Sequence, residues 1–243
     1  MDQKTRERVP RKDICAVLCN YARPKSARAC VRRLLKLGIT EVIVWNNGAK
    51  PIPEATQNIV NSENIGPMGK HRGALNTTKP YVLIIDDDYL LTEAGLNALR
   101  KWVLHYPAVA QQGSRFKAPF KYYSKRDLYL SQRLKVPQKV DLVMPNKGMM
   151  LKTNLYKLIP DHWAWGALKV LSPKIFTTDL SASCAIWDLT KKHPAIVPVA
   201  HGFEQLKDEA SKKALRRQKN IFNEKSKILR WLVAHEWKLI NRK

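Results

Sequence analysis

The stretch YVLIIDDDYLL, residues 81–91, constrains the chain more than any other. An apolar run from Tyr81 to Ile85, bounded by Pro80 and the charges, has the pattern of a strand buried on both faces. Asp86, Asp87 and Asp88 follow at its carboxyl end, where open α/β sheets place their ligands. Three adjacent carboxylates repel one another. A fold that holds them together calls for a cation, most simply a hard divalent metal that prefers oxygen ligands. The alternative is a solvated acidic turn.

Around that strand the chain alternates strands and helices. Residues 14–19 read as a first strand, closed by Asn20, Tyr21, Ala22, Arg23 and Pro24. A helix is expected over 25–37, with Ala27, Cys30, Val31, Leu34 and Leu35 on one face and Gly38 as its stop. Residues 41–45 read as a second strand ending in the Asn46-Asn47-Gly48 turn, which completes a βαβ unit with parallel pairing. A short strand near 58–60, a loop broken by Gly66, Pro67 and Gly69, and a helix over 70–76 lead to the central strand. After the acids, Thr92 caps a helix whose Leu96, Leu99 and Val103 face the core.

The second half is less regular. Strands are expected over 109–112, 140–144, 148–151 and 195–199, a tryptophan-rich loop over 162–166 and a helix over 180–189. From residue 207 the chain reads as charged helix, with Ile221, Ile228, Leu232 and Leu239 as a sparse apolar stripe. The expected organisation is a mobile basic arm over 1–12, carrying Lys4, Arg6, Arg8, Arg11 and Lys12, one domain over 13–206, and a basic helical extension over 207–243.

Composition narrows the partners. With 243 residues, 44% of them hydrophobic, the chain can bury a proper core. It contains no run of ~18 uncharged apolar residues, and MDQKTRERVPRKD lacks the apolar centre of a signal peptide, so a soluble cytoplasmic protein is expected. Cys15, Cys19, Cys30 and Cys184 show no CxxC spacing and read as reduced core residues. Lys and Arg number 44 against 20 Asp and Glu, a formal charge of +24. Self-repulsion of that size favours a polyanionic partner, nucleic acid or an anionic membrane surface, with a face of solvated lysines as the alternative. Arg115, Lys117 and Lys121 in SRFKAPFKYYSK are candidate nucleic-acid contacts, as are Trp163 and Trp165 in HWAWG. Core packing is the other reading of the two tryptophans.

Four landmarks stand in order: Asn-Tyr-x-Arg-Pro after the first strand, VWNNG after the second, an Asn-x-Gly…Arg-Gly-Ala-x-Asn segment, and Asp-Asp-Asp. Together they resemble the nucleotide-sugar half of glycosyltransferases with the GT-A fold. VWNN with DDD looks most like the exostosin-like branch, and the spacing of the first ninety residues is also similar to the large inverting branch. The resemblance implies an α/β, Rossmann-like, mixed and mostly parallel sheet flanked by helices, here with basic C-terminal helices. It implies a Mn2+ or Mg2+ ion on the diphosphate, bound directly by Asp88, with Asp86 at the ribose or a metal-bound water and Asp87 turned away. Tyr21, Arg23, Asn46 and Asn47 would lie beside base and ribose. Lys70 and Arg72, at the start of a helix, would meet phosphate oxygens. Asp179 in TTDLS would be the general base of an inverting transfer, or else a helix N-cap, and His201 a third metal ligand, or else a surface histidine.

Three acceptor readings stay open at this point. Charge, arm and the aromatic–basic stretch favour DNA carrying a hydroxymethylated pyrimidine, as in virus-encoded DNA glycosyltransferases, with the base flipped toward the metal. A glycan or protein acceptor at a membrane surface is the second reading. A non-enzymatic nucleic-acid-binding protein is the third.

Overall fold

The computed structural model describes residues 7–171, 178–206 and 221–240. In chain order the elements are β1 (Ile14–Asn20), α1 (Pro24–Lys36), β2 (Glu41–Asn47), β3 (Gln57–Asn61), α2 (Met68–Gly73), β4 (Tyr81–Ile84), β5 (Tyr89–Leu91) and α3 (Glu93–Trp102). There follow β6 (Ala108–Ala110), β7 (Gln112–Phe116), β8 (Arg126–Leu130), β9 (Gln138–Lys139), β10 (Leu142–Val143), β11 (Met149–Lys152) and α4 (Thr153–Leu158). The chain closes with α5 (Trp163–Leu171), α6 (Thr178–Thr190), β12 (Ala195–Ile196), β13 (Phe203–Gln205) and α7 (Ile221–Ala234).

Among the described residues the main sheet has the order β3-β2-β1-β4-β11-β6-β12-β9. It is mixed and mostly parallel, with β11 and β9 running against their neighbours. Alternation along each strand divides the core in two. Ile14, Ala16 and Leu18 of β1, with Leu83 of β4, face α1 and α3. Cys15 and Val17, with Val82 and Ile84, face the layer that contains Tyr156, Trp165, Leu180 and Leu232. Because β1, β2 and β4 are parallel and in register (Asn20↔Asn46, Val17↔Ile84), their carboxyl ends form one edge, and the three acids emerge there. The four cysteines are free thiols, and among the described residues no helix is long and apolar enough to cross a membrane.

Several local expectations change. The HWAWG loop is the start of helix α5: His162 accepts the Ala164 N–H at Nδ1 (3.2 Å), a side-chain N-cap, and its Nε2 bonds Asp188 of α6 at 2.9 Å. The strand expected over 140–144 breaks at buried Asp141, with β9 on the main sheet before it and β10 on a separate β10-β7-β8 sheet after it. A further small sheet pairs β13 with β5. Of the basic arm, residues 1–6 lie outside the described residues, as do 207–220 and 241–243 of the extension. The rest of the arm is docked: Val9 is buried, its carbonyl accepts from Arg100 of α3, and Arg11 pairs with Glu93 and donates to the Leu37 carbonyl. Helix α7 likewise belongs to the core, where Leu229, Leu232 and the fully buried Trp237 pack against the layer around α5 and α6.

Asp141 fastens the chain end to this core. Its two oxygens accept the Ile240 N–H (2.7 Å) and the Phe116 N–H (2.8 Å). Burial raises its pKa to about 6, more than these amides and Arg115 lower it. Between the unfolded value, near 4, and about 6 the native state holds a proton that the unfolded chain has released, so stability falls as pH rises through that window. Between pH 4 and pH 7, chemical unfolding is expected to show wild type losing up to about 3 kcal/mol relative to Asp141→Asn, whatever slope other groups give both proteins. Equal pH slopes in the two proteins would contradict this.

Candidate active site

The acids sit in the β4–β5 connection, tied to their surroundings by Ile85 N–H to the Val17 carbonyl (3.2 Å) and Asp86 N–H to the Asn146 carbonyl (3.1 Å). Asp87 turns inward and is buried. Asp86 and Asp88 reach solvent, their side chains 33% and 19% exposed, from the turn that the Tyr89 N–H closes on the Asp86 carbonyl (3.4 Å). Arg23, just ahead of α1, bridges Asp87 and Asp88 (2.6 Å to Asp88 Oδ2), and Lys70 of α2 pairs with Asp86. Burial pushes Asp87 up to about 7 against the pull of Arg23, with Asp86 and Asp88 adding to the rise. Burial also raises Asp88, with Asp86 adding and Arg23 opposing. Lys70 is buried, which by itself lowers an ammonium, but Asp86 outweighs that and its pKa rises.

Asp86 and Asp88 present hard oxygens at an open edge, each paired with a cation, Lys70 or Arg23. No cluster of three or more His, Cys, Asp or Glu side chains suited to a metal occurs among the described residues, so the two carboxylates fit a hard divalent ion only with ligands from a substrate to complete it. One or two carboxylates completed by substrate phosphates and water is the usual binding of Mg2+ in phosphate-handling sites.

The strand ends beside the acids carry buried asparagines. Asn20 Nδ2 donates to Asn46 Oδ1 (2.9 Å), and Asn46 Nδ2 donates to Asn58 Oδ1 (3.0 Å), which links β1, β2 and β3. Asn47 accepts from Trp45 Nε1 and the Ile65 N–H and donates to the Gly66 carbonyl, so it clamps the loop ahead of α2. Asn46 and Asn47 are thus built into the floor, while Tyr21 stands 45% exposed at the rim. Asn20 Oδ1 is a buried acceptor with no partner among the described residues. The sequence placed Asn20 in the Asn-Tyr-x-Arg-Pro landmark without giving it a site role, and it passed over Asn58, whose only signal was a polar residue inside a short strand.

Helix α2 also carries a buried histidine. His71 follows Lys70 but faces the core, bonded through Nδ1 to the Tyr156 hydroxyl and set edge-on to Trp165 at 4.9 Å. Burial, helped by the Lys70 charge, lowers its pKa to about 3, while Asp179 pulls the other way, so the ring is neutral and lies within reach of the Asp179 charge. Asp179 Oδ2 accepts from the Tyr122 hydroxyl (3.0 Å) and from Lys225 of α7 (3.2 Å). Burial would raise Asp179, but Lys225 and Tyr122 together outweigh it and its pKa falls. The carboxylate is therefore ionised at neutral pH and weakened as a proton acceptor. Tyr122 and Lys225, distant in sequence from each other and from Asp179, are a pair that sequence reasoning also missed.

Other expected site residues lie elsewhere. Arg72 is exposed, two residues past Lys70 and so about 200° around the helix from it. His201 lies at the far end of the β5–β13 ladder: Leu206 N–H reaches the Asp88 carbonyl (2.9 Å), whereas the His201 carbonyl accepts from Thr92. Trp165 is buried, its indole directed at Met68 Sδ, which leaves no surface for a nucleic-acid contact. Trp163 is partly exposed and donates to Asp188. Arg115 donates to the Lys139 carbonyl and lies over Tyr129, Lys117 pairs with Asp127, and Lys121 is exposed.

No family model matches the chain, and no curated protein matches it. Solved structures do. S. aureus TarS 1–349 in complex with UDP-GlcNAc superposes with a TM-score of 0.61 at 11% identity, over 94% of this chain and 68% of that one. Another structure of S. aureus TarS 1–349 gives 0.51 at 12%, over 79% and 60%. GalNAc-T7 with UDP, GalNAc and Mn2+ gives 0.54 at 9%, over 76% of this chain, which spans only 42% of the GalNAc-T7 chain. At such identities the likeness is one of chain path. The sheet order, the acids at its edge and these superpositions agree on one architecture: the chain has the GT-A fold.

Proposed function

We propose that the chain transfers a sugar from a nucleoside-diphosphate sugar, a UDP-sugar in the first instance, to an acceptor hydroxyl, with Mn2+ or Mg2+ at Asp88 and Asp86. The observation that carries this reading is the pair of outward carboxylates flanked by Arg23 and Lys70 where β1, β2 and β4 end. The UDP, UDP-GlcNAc and Mn2+ bound by the structural neighbours support the donor class. When bound, the metal supplies Lewis-acid stabilisation of the diphosphate leaving group. Arg23 and Lys70 hold the carboxylates in place and add positive charge at the phosphate end. The exposed ring of Tyr21 offers a face to the nucleobase at the rim. His201, at the other end of its ladder, is left outside the metal set. In an inverting transfer Asp179 is the base: it is ionised at neutral pH, and Oδ2 exchanges the Tyr122 hydroxyl for that of the acceptor.

For the acceptor we favour a hydroxymethylated pyrimidine in DNA, on the net charge of +24. Hydroxymethylated and unmodified DNA are to be incubated with a panel of nucleotide sugars and Mn2+, digested, and read by mass spectrometry. One added hexose or pentose on the modified base alone is the expected result. Transfer only to an oligosaccharide would sink the DNA acceptor, and consumption of no nucleotide sugar at all would sink the donor reading.

A further inference from the structure

The SRFKAPFKYYSK stretch and α7 enclose a groove of about 490 Å³, lined by Lys121, Tyr123, Phe222, Glu224, Lys227 and Arg230. Its chemistry is unusual for a surface. Tyr123 is 63% and Phe222 40% exposed; their rings pack at 4.7 Å with a 44° tilt, and the Arg126 guanidinium lies 5.2 Å from the Tyr123 ring, so an aromatic pair with a cation beside it stands at the surface. Three cations surround them, and the lone acid, Glu224, is paired with Lys227 at 3.5 Å. The walls are fastened together: Ser226 Oγ accepts the Tyr122 N–H (3.0 Å) and donates to the Phe222 carbonyl (2.7 Å). They are also fastened to the site, since Tyr122 and Lys225, each next to a lining residue, are the side chains that bond Asp179 Oδ2.

Flat rings among cations match a ligand that repeats flat rings and phosphates. We propose that this groove binds a single-stranded or locally unpaired stretch of nucleic acid on the acceptor side, with bases on Tyr123 and Phe222 and phosphates against Lys121, Lys227 and Arg230. The inference rests on the DNA-acceptor reading above and adds where the strand lies. A strand held there would lie against the two segments whose Tyr122 and Lys225 bond Asp179.

Fluorescence anisotropy with labelled oligothymidylate tests it on the full chain. Tyr123→Ala and Phe222→Ala are each expected to weaken binding by about 5- to 100-fold, the range for removal of one base–aromatic stack. Tyr123→Leu and Phe222→Leu serve if the alanine variants unfold. Removing Lys227 and Arg230 as alanines is expected to flatten the dependence of log affinity on log salt by about 0.7 for each phosphate that is no longer neutralised. Lys36→Glu, an equal or larger charge change at the exposed end of α1, is expected to leave the aromatic dependence intact. Unchanged affinity in both aromatic variants overturns the groove, and so does binding of inorganic polyphosphate or of phosphatidylglycerol vesicles as tight as that of oligothymidylate. Groove-dependent binding without sugar transfer to hydroxymethylated DNA sinks the acceptor reading alone. Transfer that persists while both aromatic variants bind normally sinks the groove alone.

Discussion

Replacing Asp88 by alanine is expected to lower metal-dependent sugar turnover by roughly 10³-fold, since Lewis-acid stabilisation of a leaving group supplies several kcal/mol and each 1.36 kcal/mol is tenfold in rate. The fold should survive the change. Arg23 keeps its bond to buried Asp87, and Asp88 itself lies at an open edge. Thermal unfolding of the variant should therefore stay close to wild type while turnover collapses, a split that separates chemistry from stability. Asp88→Asn, which keeps a hydrogen-bond acceptor for Arg23 but loses the charge, should behave like the alanine variant. Full turnover by Asp88→Ala in the presence of a chelator would remove the metal from this site.

The second large effect is on stability. Lys225→Met keeps the length of the side chain but leaves Asp179, 15% exposed, facing a tyrosine hydroxyl and no cation. Removing one partner of a buried ion pair costs about 3–5 kcal/mol, and here the low end applies because both side chains keep some solvent. The pH dependence follows from the direction of the Asp179 shift. Its pKa is lowered in the native protein, so the stabilisation is present above the unfolded carboxylate value and is lost as pH falls through the native one. In the variant burial acts unopposed by Lys225 and the carboxyl takes a proton more readily. The gap between the two proteins should accordingly be widest at neutral pH and close in acid. Denaturant unfolding at pH 7 and below pH 4 measures both. Adding Asp179→Asn to Lys225→Met should recover most of the loss at pH 7, since replacing both partners leaves no unpaired charge. A single variant as stable as wild type at pH 7 would show that the pair carries no weight.

These two residues sit at opposite ends of what a sequence can disclose. Asp88 was legible because its setting is local: an apolar run, a proline before it and three acids after it specify a buried strand and its end without reference to the rest of the chain. The same holds for β1, α1 and β2, which the structure places within a few residues of the periodicity that announces them. Parallel strands covered on both faces read as continuous apolar runs, and a one-sided helix repeats every three to four residues.

The rest was chosen by partners far away in the chain. HWAWG is a helix because His162 caps it and Asp188, 26 residues on, holds the histidine. Asp141 breaks a strand because amides of Phe116 and Ile240 meet on its carboxylate, and the latter is 99 residues away. Tyr122, Asp179 and Lys225 converge from three segments, and no spacing in the sequence relates them. The sequence alone determined the central strand, its three acids and the parallel unit around them, because those depend on hydrophobic period and local charge. Only the tertiary structure decided which cations neutralise the acids and that Asp179 is tied to α7, because charge pairing is a property of neighbours in space.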